Sequence, residues 1–126
     1  MKLSSITPTI PVTDIAKSRD FYENVLELKP GTITVPPDSM MYDAGDGSYL
    51  YIYQRAPSKA DHTLVSFKVE NIQEAVEGLS QKGVAFEHYD TPGLKTDEKG
   101  IATMGNDKSA WFKDPDGNIL ALFQAG

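Results

Sequence analysis

Asp46-Gly47-Ser48-Tyr49-Leu50-Tyr51-Ile52-Tyr53-Gln54 recurs near the end of the chain as Asp116-Gly117-Asn118-Ile119-Leu120-Ala121-Leu122-Phe123-Gln124. The Asp-Gly pair, the Leu and the Gln fall at one fixed offset. Each copy reads as a tight turn feeding an alternating strand, because Asp-Gly supplies the positive φ that short hairpins need. A second echo lies upstream, where Ile10-Pro11-Val12-Thr13-Asp14-Ile15 matches Phe67-Lys68-Val69-Glu70-Asn71-Ile72. The chain therefore reads as one strand–helix–strands unit used twice. Two such units are expected to build a cavity between their sheets, and the residues pointing into it decide the chemistry.

Working outward, residues 6–12 alternate Ile6, Pro8, Ile10 and Val12 with Thr7, Thr9 and Pro11, the period of a strand. The prolines suit an exposed edge or a strand start. Asp14 is a good N-cap, since its carboxylate accepts from the first free amides. Ile15, Ser18, Tyr22, Val25 and Leu26 then share a helical stripe, and the helix should end near Leu28. Gly31 to Val35 and Met40 to Asp43 read as short strands, and Tyr49 to Gln54 as the fourth strand. Residues 56–61 form a polar linker. His62 to Val69 opens the second unit. Asn71 with Glu74 makes a capping-box pattern, and Ile72, Ala75, Val76 and Leu79 recur at helical spacing. Gly83 stops that helix. Val84 to Tyr89, Ser109 to Lys113 and Ile119 to Phe123 read as strands, with Thr91 to Lys99 a polar loop. The expected fold class is α+β, one domain over 1–126. It is built of two tandem βαβββ units, the first over 1–55 and the second over 62–126.

At 126 residues the chain can bury a core without covalent staples. It has no cysteine, which excludes disulfides, thiolate metal sites and a cysteine nucleophile. The formal net charge is −6, and no basic stripe offsets it, so nucleic acid is a poor partner. No apolar run is long enough to span a bilayer, and Met1-Lys2-Leu3-Ser4-Ser5 does not read as a signal peptide. A cytoplasmic protein with no membrane partner is the expectation. There is no phosphate-binding glycine loop and no Gly-x-Ser-x-Gly elbow.

Side chains alternate across a strand. Ile10, Val12, Leu50, Ile52, Val65, Phe67, Val69, Leu120 and Leu122 fit the side covered by helices. The opposite side then carries Thr7, Thr9, Tyr49, Tyr51 and Tyr53 in the first unit. In the second it carries His62, Leu64, Ser66, Ile119, Ala121 and Phe123. Three tyrosines on one strand face are either plain packing or the wall of a ligand or subunit surface. Buried phenols want a hydrogen-bond partner.

The pattern resembles the vicinal oxygen chelate superfamily, which includes glyoxalase I, fosfomycin-resistance enzymes, extradiol dioxygenases and bleomycin-resistance proteins. Val12-Thr13-Asp14-Ile15 with Arg19-Asp20-Phe21-Tyr22 looks like its opening strand, cap and helix. Phe112-Lys113-Asp114-Pro115-Asp116-Gly117-Asn118 looks like its closing turn. In the metal-dependent members a His seven residues before the helix cap and a Glu or Gln on the last strand hold the ion. The resemblance carries those positions onto Thr7, Tyr51, Leu64 and Ala121 here. Thr7, Leu64 and Ala121 are not credible ligands for a divalent metal, and Tyr51 is a rare one. His62 lies two residues before Leu64, but a lone histidine is not a ligand set. The resemblance thus implies a site that has lost its metal, with no cofactor, and a homodimer.

The leading expectation is metal-independent binding of an apolar or aromatic small molecule in a cleft at a dimer interface. Tyr49, Tyr51, Tyr53, Phe123 and Trp111 would stack on or wall the ligand. Thr7, Thr9, Ser66 and His62 would add sparse polar contacts beside Leu64 and Ala121. The alternatives are a divalent-metal-dependent lyase, isomerase or dioxygenase with a displaced ligand set, and a non-catalytic interaction module with a filled cavity.

Overall fold

The computed structural model describes residues 1–3 and 5–126. Two compact units divide the chain, Met1–Lys59 and Ala60–Gly126. The first contains β1 (Thr9–Val12), α1 (Ile15–Asp20), a π-helical turn (Phe21–Val25), β2 (Lys29–Pro30), β3 (Ser39–Asp43) and β4 (Tyr49–Gln54). Its sheet runs β1-β4-β3-β2. The second contains β5 (Thr63–Lys68), α2 (Ile72–Gln81), β6 (Asp90–Thr91), β7 (Leu94–Lys95), β8 (Ile101–Met104), β9 (Asp107–Lys113) and β10 (Ile119–Gln124). Its main sheet runs β5-β10-β9-β8, the same order of roles.

The two copies of the repeat become equivalent strands. β4 pairs in parallel with β1 and antiparallel with β3, and β10 pairs in parallel with β5 and antiparallel with β9. Ile10, Val12, Leu50 and Ile52 are buried on one face of the first sheet with Tyr22 and Tyr42. Leu120, Leu122, Ala110 and Phe112 do the same in the second, under the buried Ile72 and Val76 of α2. Burying such side chains stabilises by about 1.5–3 kcal/mol each, which makes the alternating pattern decisive for the fold.

Both helices start as the sequence requires. The Asp14 side chain accepts from the Lys17 N–H, and the Asn71 side chain from the Glu74 N–H, each at 3.1 Å. Gly83 ends α2 at φ 92°, a conformation that costs glycine nothing.

Several boundaries differ from the expectation. β1 begins at Thr9, and Ile6 is exposed. The first helix continues past Asp20 as a π-helical turn, in which the Leu26 N–H donates to the Phe21 carbonyl. It stops before Leu28 because Glu27 takes φ 61°. Gly31–Val35 is not a strand: Lys29 and Pro30 pair with Asp43 and Tyr42 instead, and the Gly31 N–H donates to the Met41 carbonyl. Pro30 has no N–H to extend the ladder, and Ile33 is left exposed. Val84–Tyr89 forms only an isolated bridge, Phe86 to Phe112. It lies alongside the second half of β9, whose first half pairs with β8. The expected loop 91–99 contains the β6–β7 hairpin, in which Asp90 pairs with Lys95.

Candidate functional site

In the first unit the face of β4 opposite Leu50 and Ile52 carries Tyr49, Tyr51 and Tyr53, all half-buried. The rings of Tyr51 and Tyr53 lie 6.3 Å apart and within 12° of parallel. Successive same-face residues stand roughly 6–7 Å apart along a strand, so strand geometry itself sets this stack. Register places Thr9 beside Tyr51 on one flank and Met41 on the other. The Thr9 hydroxyl donates to the Thr7 carbonyl at 3.2 Å. The Tyr51 N–H donates to the Pro8 carbonyl, which ties the approach to β1 against β4. Thr7, Thr9 and Tyr51 are thus near one another in this unit.

In the second unit the corresponding face carries Trp111, Ala121 and Phe123. Trp111 stands in register with Ala121, Ala121 with Ser66, and Phe123 with Ser109. Trp111 and Phe123 are half-buried, whereas Ala121 is buried and offers only a methyl group. The residue that sequence reasoning missed is Tyr89. Its ring meets that of Trp111 at 5.5 Å and 78°, an edge contact. Glu87 and Lys113 follow on the same side, Nζ to Oε1 at 3.7 Å. The signal was present, since Phe86 reads as core and Tyr89, three residues on, falls to the other side of an extended segment.

His62 precedes β5, and its side chain is 70% exposed beside Asp61 at 3.7 Å. The β5–β10 register also shifts between Ile119 and Leu120. That irregularity breaks the two-residue alternation that would have carried Ser66 through Leu64 to His62. His88 lies on the other side of its segment. It lines a hollow of about 420 Å³ with Val76, Glu77 and Phe86.

Thr7, Tyr51, Leu64 and Ala121 supply one hydroxyl and one phenol as side-chain donors, so they do not fit a divalent metal. Among the described residues no group of three or more His, Cys, Asp and Glu side chains is placed to hold one. No helix among them is long and apolar enough to cross a membrane.

Comparison with known proteins agrees with this architecture. Residues 2–122 match the model of the Glyoxalase/Bleomycin resistance protein/Dioxygenase superfamily. The chain belongs to that superfamily. A search of curated proteins returned no match. Among solved structures, TnmS3, an antibiotic binding protein from a Streptomyces species, is 20% identical with TM-score 0.72, covering 100% of this chain and 99% of that one. UcmS2 is 20% identical with TM-score 0.73, covering 98% of each chain. The fosfomycin resistance protein FosX from Mesorhizobium loti is 15% identical with TM-score 0.65, covering 100% and 94%. These likenesses show the fold.

Proposed function

We propose that this superfamily member binds a small apolar or aromatic molecule without a metal, in a cleft at a homodimer interface. The observation that carries the proposal is the half-buried, near-parallel pair Tyr51–Tyr53, on the sheet face opposite the buried Leu50 and Ile52. Flat rings held by a strand offer a rigid, preorganised surface for another flat ring. Tyr49 extends this apolar wall beside Thr7 and Thr9 in the first unit, and in the second unit Trp111 and Phe123 offer an apolar wall of their own, with His62, Leu64, Ser66 and Ala121 as its remaining lining. The donor chemistry of Thr7, Tyr51, Leu64 and Ala121 supports metal independence. Sequestration needs affinity and no proton transfer, which suits a lining of aromatic rings and hydroxyls. The antibiotic binding named for TnmS3 supports a similar role here. Aromatic faces on a chain this small support pairing of two copies, because large apolar patches are rarely left bare.

The same ring stack also suits a second reading. In a non-catalytic interaction module the tyrosines fill the face themselves. The experiment is native mass spectrometry of untagged protein purified without added metal, followed by titration with planar aromatic probes. The proposal expects a metal-free dimer whose probe affinity falls at least tenfold in the Tyr51→Ala/Tyr53→Ala variant. A stoichiometric divalent ion, or affinity unchanged in that variant, overturns it. A dimer that takes up no probe favours the module.

A further inference from the structure

We infer that the Trp111–Tyr89 corner of the second unit receives an alkylammonium group, with Glu87 as its counter-charge. This deepens the ligand-binding reading by naming the ligand's charge, and it rests on that reading.

Four side chains carry the argument. Phe86 bridges to Phe112 on the side that faces α2, their rings 5.5 Å apart. The Glu87 N–H donates to the Trp111 carbonyl at 2.8 Å, which fixes the segment against β9. Glu87 and Tyr89 therefore share a side with Trp111 and Lys113. Two ring planes at 78° and 5.5 Å make an inside corner. An ammonium within about 6 Å of a ring centroid is attracted by the negative ring face, and tryptophan is the strongest such face. The antiparallel bridge of Phe86 to Phe112 sets Glu87 directly opposite Trp111 on the neighbouring strand position, where facing Cβ atoms stand about 4.5–5.5 Å apart, so the carboxylate and the indole flank the same place.

The charge already at this place is loosely held. Lys113 Nζ and Glu87 Oε1 are 3.7 Å apart, beyond hydrogen-bond length. The Lys113 side chain is 52% exposed and that of Glu87 31%. The carboxylate is the more buried partner and the ammonium the more exposed. An exposed pair of this kind contributes no more than about 1 kcal/mol, so a competing cation displaces Lys113 at little cost. The net charge of −6 favours approach of a cation and opposes an anion. A ligand carboxylate would meet both that field and Glu87.

The test uses choline chloride and its uncharged carbon isostere, dimethylbutanol, against sodium chloride at matched ionic strength. Trp111 is the chain's one tryptophan, so its indole fluorescence and N–H resonance report on this corner. Choline should shift both, and dimethylbutanol should not. Glu87→Gln should weaken choline binding by about fivefold, the equivalent of about 1 kcal/mol. Lys113→Gln should tighten it by about two- to fivefold, because the internal competitor is gone. Circular dichroism checks that both variants fold. Equal response to the isostere, no response to choline, or weakened binding in Lys113→Gln overturns the inference. If planar uncharged probes still bind through Tyr51 and Tyr53 in that event, the broader ligand-binding proposal survives. If they do not, both fall.

Discussion

Gln54 Oε1 accepts a hydrogen bond from the backbone N–H of Ile15 at 2.8 Å, so the last strand of the first unit caps its own helix. Gln124 does the same for Ile72 at 2.8 Å. The first amides of a helix have no partner within it. Asp14 and Asn71 satisfy one amide each, and the glutamines satisfy another. The glutamine at the end of each copy of the repeat is thereby explained.

Replacing either glutamine with leucine leaves that amide without its acceptor and should cost about 1 kcal/mol. Gln54→Glu should restore most of the loss, since a carboxylate accepts the same bond and is favoured at a helix N-terminus by about 0.3–1 kcal/mol. Urea unfolding at neutral pH measures both. A leucine variant as stable as the parent would mean that water replaces the cap.

Tyr42 supplies a pH-dependent prediction. It is fully buried, and its hydroxyl donates to Glu23 Oε2 at 2.8 Å, which also accepts from Arg19 Nε at 2.7 Å. The hydrogen bond from Arg19 first, and that from Tyr42 with it, hold Glu23 below the usual carboxylate range against the opposing effect of burial. Its folded pKa is depressed, so its contribution is full above the ordinary value of 4.5 and is lost as pH falls through the folded value. Burial first, then the bond to Glu23, pushes the Tyr42 phenol up. That contribution is present below the ordinary value near 10 and is lost as pH rises further. Tyr42→Phe should destabilise by about 1.5 kcal/mol at pH 7. Its acid unfolding should begin at higher pH, and its stability should fall less steeply above pH of about 10. Thermal melts across pH check all three. Parallel pH profiles for the two proteins would remove Tyr42 from the network.

What could be read from the sequence was local. Leu50 and Ile52, like Leu120 and Leu122, announce a two-residue period, and Asn71, Glu74 and Gly83 announce both ends of α2. What could not be read depends on contacts between distant residues. The π-helical turn lies where Glu23 meets Tyr42, nineteen residues away. Val84–Tyr89 has strand-like composition, yet β8 occupies the first half of β9 and leaves it one bridge. The register shift at Leu64 is invisible in residue types, and it interrupts the alternation that runs back from Ser66 along β5. For the candidate site, the three tyrosines, Ala121 and Phe123 were legible by alternation, and Trp111 as an aromatic residue of a neighbouring strand. The Tyr89–Trp111 corner needed the course of the 86–89 segment.

Ser18 is buried in α1, and its hydroxyl has no hydrogen-bond partner. A hydroxyl taken from water without a partner costs about 1–3 kcal/mol. Alanine removes that penalty and is also the best helix former. Ser18→Ala should therefore raise stability by about 1 kcal/mol, seen as a melting temperature higher by roughly 4–8 °C if the transition is that of a small domain. A decrease would show that the hydroxyl is bonded in solution.

Gly100 and Gly78 should respond in opposite directions to the same substitution. Gly100 has φ +90°, and a Cβ there would stand 2.8 Å from the Phe86 Cβ and 3.2 Å from the Glu87 carbonyl oxygen. The turn cannot open to make room, because the Asp97 carboxylate accepts from the Lys99 and Ile101 N–H groups at 2.9 Å each. Gly100→Ala combines an unfavourable backbone conformation with a clash against buried Phe86, and should cost at least about 2 kcal/mol. Gly78 sits in the exposed middle of α2, with nothing within 4 Å of a built Cβ. Gly78→Ala should stabilise by about 0.5–1 kcal/mol, since alanine loses less backbone freedom on entering a helix. Urea unfolding of the two variants side by side checks the pair. Because Gly100 abuts Phe86 and Glu87, its alanine variant should also move the Trp111 fluorescence, whereas that of Gly78 should not. A Gly100→Ala protein with parental stability would mean that the 86–89 segment is not fixed against β9.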